Sequence, residues 1–132
     1  MKEEQMKQMF ILCTVLALTA PAAAHHGNAS TENKTMVLKA TVTQWLWSNP
    51  HTFLKFDVKD DNGNVTSWSA ESNNPSTLVN FGLTAKTFKA GDLVTVTLDG
   101  VAKSGAPIGR IKEVMLADGT IMRYDGAAGS GN

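Results

Sequence analysis

The sequence predicts an all-β domain: a small OB-like barrel of five to six strands with one short interposed helix, preceded by a cleaved signal peptide. Three observations carry this. From residue 36 onward, β-branched and aromatic residues alternate with polar ones, the period of half-buried strands. Turn signals punctuate the pattern at Asp60-Asp61-Asn62-Gly63, Lys89-Ala90-Gly91-Asp92 and Asp118-Gly119. Three strands, a helix and two further strands, with a long first strand, is the order of an OB-type barrel, which binds ligands across strands 2 and 3 and the flanking loops. A β-sandwich is the alternative, but one interposed helix in so short a domain suits the barrel better.

The opening segment predicts location. Residues 9–20 (MFILCTVLALTA) are an unbroken apolar run ended by Pro21, and Ala22-Ala23-Ala24 supplies small residues for a signal peptidase. A membrane anchor takes roughly 20 apolar residues, so the run is too short for one. Lys2 and Lys7 are offset by Glu3 and Glu4, so the positive charge at the start rests mostly on the α-amino group. Residues 1–24 are read as a signal peptide, and the protein as periplasmic or secreted. Cys13 is the one cysteine and lies inside the apolar run, so the cleaved chain has no thiol. A small secreted eukaryotic domain would ordinarily carry disulfides, and their absence favours a bacterial envelope protein. The chain balances 12 basic against 12 acidic residues and has no basic run. That argues against nucleic acid as a partner and against an electrostatic membrane anchor. No second apolar span follows the leader, so no membrane span is expected after cleavage.

The elements follow in order. Residues 25–35 are small and polar, an N-terminal arm ahead of a barrel domain over 36–125. Leu38, Ala40 and Val42 share one strand face, but Trp45 and Trp47 fall out of phase with them. A bulge near Thr43-Gln44 returns both to the inner face, because one extra residue flips the alternation. Asn49-Pro50 ends this strand. Leu54, Phe56 and Val58 line the second strand, and residues 65–71 form the third, with Trp68 and Ala70 on one face. Asn74-Pro75 opens a helix of about two turns, with Asn as cap and Pro where no N–H is missed, and Gly82 stops it. Val94, Val96 and Leu98 mark the fourth strand. Residues 99–109, with three glycines and a proline, are read as a loop. Residues 109–116 and 120–124 give two more strands. The tail, 126–132, is Gly- and Ala-rich and is expected to be disordered.

The candidate chemistry is sparse. Three histidines remain after cleavage: His25, His26 and His51. Cleavage after Ala23 would leave an amine, two backbone amides and the third-position imidazole, a square-planar nitrogen set suited to Cu(II) or Ni(II). Cleavage after Ala24 would let the amine and imidazole of His25 chelate, with His51 as a third nitrogen. Copper is therefore the first candidate metal; the plainer reading leaves two histidines decorating a polar arm. His51, in the first interstrand turn, is either a ligand or a turn histidine bonded to backbone. Trp45, Trp47 and Trp68 read as core at inward positions, with an aromatic platform as the alternative. Glu71, on the face opposite Trp68, can accept a hydrogen bond from the turn, bind a metal or stay a solvated edge carboxylate. No G-x-S-x-G, H-E-x-x-H or Walker loop is present, and no paired acids are fixed by spacing, so no catalytic residue is assigned.

His-His at 25–26, W-S-N-P-H-T at 47–52, W-S-A-E at 68–71, N-P at 74–75, K-A-G-D at 89–92 and L-A-D-G at 116–119 resemble an uncharacterised family of small exported bacterial proteins. The resemblance covers roughly residues 24–124, and its distinctive part is the W-x-N-P-H turn with the following W-x-x-E. Trp45 stands where an aliphatic residue is expected, and Gly27 where Ser more often follows His-His. The resemblance implies an envelope location and a small β-barrel, and no activity. The positions it marks are His25, His26, Trp47, Asn49, Pro50, His51, Trp68 and Glu71. The expectation is a binding protein rather than an enzyme, holding a metal through His25, His26 and His51. The alternative is an interaction module for an envelope protein or small ligand, using Trp47, Asn49, Trp68 and Glu71 on the barrel face.

Overall fold

A computed structural model describes residues 30–124; the proposed signal peptide, His25, His26 and the 126–132 tail lie outside the described residues. The elements are β1 (Thr31–Glu32), β2 (Met36–Leu46), β3 (Phe53–Lys59), β4 (Val65–Glu71), helix α1 (Pro75–Leu78) running into a 3-10 turn (Val79–Phe81), β5 (Leu93–Ala102), β6 (Ile108–Leu116) and β7 (Ile121–Arg123). β2 pairs antiparallel with both β3 and β5, and β3 with β4. β4 pairs in parallel with β6, which pairs back to β5. Five strands, β2-β3-β4-β6-β5, therefore close into a barrel, and β1 and β7 extend it. This is the OB-like order expected, with α1 between the third and fourth barrel strands. Among the described residues, no helix is long and apolar enough to cross a membrane.

The expected bulge is present in β2. Val42 faces Phe56 and Gln44 faces Lys55, so Thr43 is the extra residue. Before it the even positions Ala40 and Val42 point inward; after it Trp45 opposes the fully buried Leu54. The indoles of Trp45 and Trp47 are half-buried against the core. Leu54, Phe56, Ala70, Val96, Leu98 and Val114 are wholly buried inside the barrel. Burial of a side chain of the Leu or Phe class stabilises by about 1.5–3 kcal/mol. Where β4 meets β6, Ala70 opposes Gly109, and a Cβ on Gly109 would lie 2.6 Å from Leu98 Cδ1. Small residues at that seam let the barrel close.

Asn74 caps α1 by accepting from the Thr77 N–H at 2.9 Å, and Gly82 ends the 3-10 turn at φ 78°. Only this left-handed conformation turns the chain there, and Gly adopts it without a Cβ penalty. The structure corrects the span read as a glycine-rich loop. β5 continues to Ala102 and β6 begins at Ile108, leaving a loop over 103–107. Gly100 and Gly109 are strand residues, opposed by Arg110 and Val101. Gly109 is small because a Cβ there would run into Leu98 and the Gly100 carbonyl, and neither glycine serves a turn. Thr31 and Glu32, in the segment read as an arm, pair with Ala102 and Val101.

Candidate functional site

The turn over 47–52 joins β2 to β3 and is held from beneath. Thr52 is fully buried; its N–H and Oγ1 both donate to the Asn73 carbonyl, at 3.1 and 2.9 Å, and its own carbonyl accepts from Ser72 N–H at 2.9 Å. Asn73 Nδ2 in turn donates to the Tyr124 carbonyl at 2.7 Å. Ser48 Oγ donates to the His51 carbonyl at 2.8 Å, and the Asn49–Pro50 peptide is cis. The turn is thus tied to the 72–74 connection, which follows directly on Glu71.

That clamp brings His51 to Glu71. His51 Nδ1 lies 2.8 Å from Glu71 Oε1 and 3.3 Å from the Ser72 carbonyl. Glu71 points outward because its neighbour Ala70 points inward and strand residues alternate. Both partners of Nδ1 are acceptors, so Nδ1 carries the proton, and in the neutral ring Nε2 holds the lone pair. The two side chains are 50% and 45% exposed, so the pair adds little to stability. What it does is orient the ring. Of the three readings open for Glu71, the hydrogen bond from the turn is the one observed. Among the described residues, no group of three or more His, Cys, Asp or Glu side chains is assembled for a metal. His51 and Glu71 alone do not complete one.

The remaining candidates are dispersed. Asn49 is exposed at the turn. The Trp47 ring lies 5.7 Å from Trp45, whose Nε1–H donates to the Thr84 carbonyl at 2.9 Å. Trp68 stacks on Phe56 with parallel rings 6.4 Å apart. Among the described residues no ring contact joins Trp47 to Trp68, and each packs against the core instead. The 47–52 turn and the 103–107 loop leave opposite ends of their strands. The stagger of the barrel nevertheless seats Pro107, whose carbonyl accepts from Ser69 N–H at 3.0 Å, two residues from Glu71. Sequence reading missed Arg110 and Asp99. Arg110 is the register partner of Glu71, and its Nε–H bonds Asp99 Oδ1 at 2.7 Å. Nothing in the local pattern marks them: Asp99 falls in the span expected as a loop and Arg110 in the expected fifth strand, and the pairing of Arg110 with Glu71 is a matter of register.

No curated protein and no solved structure matches the chain. A family model does, the Family of unknown function (DUF6152), over residues 13–110. That span takes in every barrel strand through the start of β6, together with the 47–52 turn, His51 and Glu71, and most of the chain; the protein belongs to this family of unknown function.

Proposed function

We propose that the protein is an exported bacterial envelope protein that binds a transition-metal ion, copper first, through Nε2 of His51 together with His25 and His26. It is a binding protein in this reading, not an enzyme. One observation carries it: the Nδ1–H of His51 is committed to Glu71 at 2.8 Å, which leaves Nε2 as the donor. Metal-binding histidines characteristically give their other N–H to a carboxylate, which fixes the tautomer and strengthens the donor. Glu71 is then a positioning residue, not a ligand.

The geometry of the chain's anchor point supports a contribution from the arm. Glu32, Val101, Gly109 and Ala70 are successive register partners around the barrel. β1 is therefore three strand spacings, about 14 Å, from the strand that carries Glu71. His26 precedes Ser30 by four residues, and four extended residues span up to about 14 Å. The arm has the reach to approach the His51 turn.

Mass spectrometry of the protein from the periplasmic fraction tests export, with residues 1–23 or 1–24 removed as the expected result. Cu(II) titration of that cleaved protein tests the site. Deletion of residues 24–26 should abolish high-affinity binding, and His51→Ala should weaken it. Glu71→Gln should weaken it by about 10- to 100-fold, the usual effect of losing such a carboxylate. Protons compete for the same nitrogens, so affinity should fall on acidification. Equal binding by wild type and the arm deletion, or no binding at micromolar concentration, would favour an interaction module using Trp47, Asn49, Trp68 and Glu71.

A further inference from the structure

A second candidate site lies on the outer face of the barrel, away from His51. A groove of about 720 Å³ crosses β4, β3, β2, β5 and β6, lined among others by Val65, Lys59, Asp57, Lys39, Leu93 and Met115. Register explains how these meet. Lys59 opposes Val65, Thr41 opposes both Asp57 and Leu93, and Lys39 opposes Thr95, which opposes Met115. These six are outward positions of their strands, and the lining also includes the core residues Ala40 and Val94.

Two features of the groove are unusual for the outside of a small barrel. Its walls are apolar and wet: Leu93 is 65% exposed, Val65 59% and Met115 39%. Ile121, the register partner of Met115 on β7, continues the apolar wall at 47% exposure. Leu93, Met115 and Ile121 form one apolar wall, and Val65 stands across Lys39 and Lys59 from it; exposed apolar residues that cluster mark a binding site more often than scattered single residues do. The polar groups are also unequal. Lys39 and Lys59 have no acidic or hydrogen-bonding partner among the described residues. Asp57, the one carboxylate in the lining, already accepts from Ser67 Oγ at 2.6 Å. The groove therefore combines an apolar trough with an excess of positive charge. Lysines bury their stems on apolar surface and hold their heads in water, so both can reach a charged group at the rim.

We infer that this groove binds a free anionic amphiphile, a single-chain carboxylate of the fatty-acid class, with the chain along the Leu93–Met115 wall and the carboxylate between Lys39 and Lys59. Pockets of this size suit small ligands, and an apolar lining with a few placed charges is their usual composition. A cationic amphiphile would meet two ammonium groups. A neutral one would leave both lysines without the partner that the trough is charged to receive.

The test uses the cleaved full-length protein and laurate below its micelle concentration, followed by amide chemical shifts. The expected result is saturable binding with shifts confined to β2, β5, β6, the end of β3 and the start of β4. Dodecyltrimethylammonium, with the same chain and opposite charge, should bind at least tenfold more weakly. Lys39→Glu and Lys59→Glu should each weaken laurate at least fivefold, and Leu93→Ser should do the same. Lys86→Glu, the same charge change outside the groove, should leave binding unaltered and control for net charge. Circular dichroism checks that each variant is folded. Equal binding of both amphiphiles, indifference to the Lys39 and Lys59 changes, or absence of laurate binding would overturn the inference. Binding to phosphatidylglycerol vesicles without binding to free laurate would overturn it as well, since it would mark a membrane-surface contact.

Discussion

Asp60 shows how much one side chain organises at the residue scale. Its Oδ1 accepts the N–H groups of Asn62 and Asn64 at 2.9 and 2.8 Å, and its Oδ2 accepts from Asn64 Nδ2 at 2.9 Å. These bonds, the Asn64 side chain first, favour the ionised form and hold the carboxyl below its usual 3.8. The folded value is depressed, so the stabilisation is present above the usual carboxylate range and is lost as pH falls through the folded value. The difference in urea midpoint between wild type and Asp60→Asn should accordingly narrow as the solution is acidified. A gap that stays constant with pH would remove the ionised carboxylate from the account. Tyr124 is the opposite case. Its ring is buried, burial pushes its phenol far above the ordinary range, and its hydroxyl has no hydrogen-bond partner among the described residues. A buried hydroxyl without a partner costs about 1–3 kcal/mol. Tyr124→Phe should therefore raise stability by about 1 kcal/mol in chemical denaturation. A loss of that size would show that the hydroxyl is bonded in solution.

At the scale of elements, β2 decides most. Thr43 is the extra residue, and the bulge absorbs it so that Val42 and Trp45 stay on the same side of the strand. Deleting Thr43 would remove the bulge and leave Val42, Trp45 and Trp47 in plain alternation on the inner face, with the pairing to β3 unchanged. Tryptophan emission of the folded deletion variant should therefore stay at the wild-type wavelength. A red shift would mean that Trp45 and Trp47 turn outward and that the bulge itself is needed to hold them. The bulge also docks a distant turn: Val42 N–H bonds the Asp92 carbonyl at 2.9 Å, and Gly91 N–H bonds the Val42 carbonyl at 2.8 Å. A local irregularity in one strand thus fixes where β5 begins.

The molecule as a whole is held by one core shared by all five barrel strands. Closure leaves the barrel without a long free edge, so the strands cannot separate one at a time. Unfolding should follow one cooperative transition by circular dichroism and fluorescence alike. Leu54 and Phe56 are both wholly buried, and Leu54→Ala or Phe56→Ala should each cost about 2–5 kcal/mol. Two separated transitions, or a cost under about 0.5 kcal/mol at both positions, would contradict a single barrel core.

The amino-acid sequence by itself determined the strand alternation, the bulge near Thr43, the Asp60–Gly63 turn and the Asn74 cap with its Gly82 stop. Each is set by chemistry within a few residues: side-chain period, a donor needing an acceptor, a backbone angle that only glycine takes freely. The same locality explains the misreading of residues 99–109. Glycines there signal a loop, but Gly100 and Gly109 are strand positions, and Gly109 is small because of the Leu98 side chain that packs against it. Only the tertiary structure decided the site. His51 and Glu71 are twenty positions apart, and nothing near either selects the other. They meet because Phe53 is registered on Glu71 and Thr52 is bonded to the 72–73 backbone. The outer groove is likewise a product of register, which brings together residues from five strands. Partner choice across strands depends on closing the whole barrel, a long-range condition that no local pattern encodes.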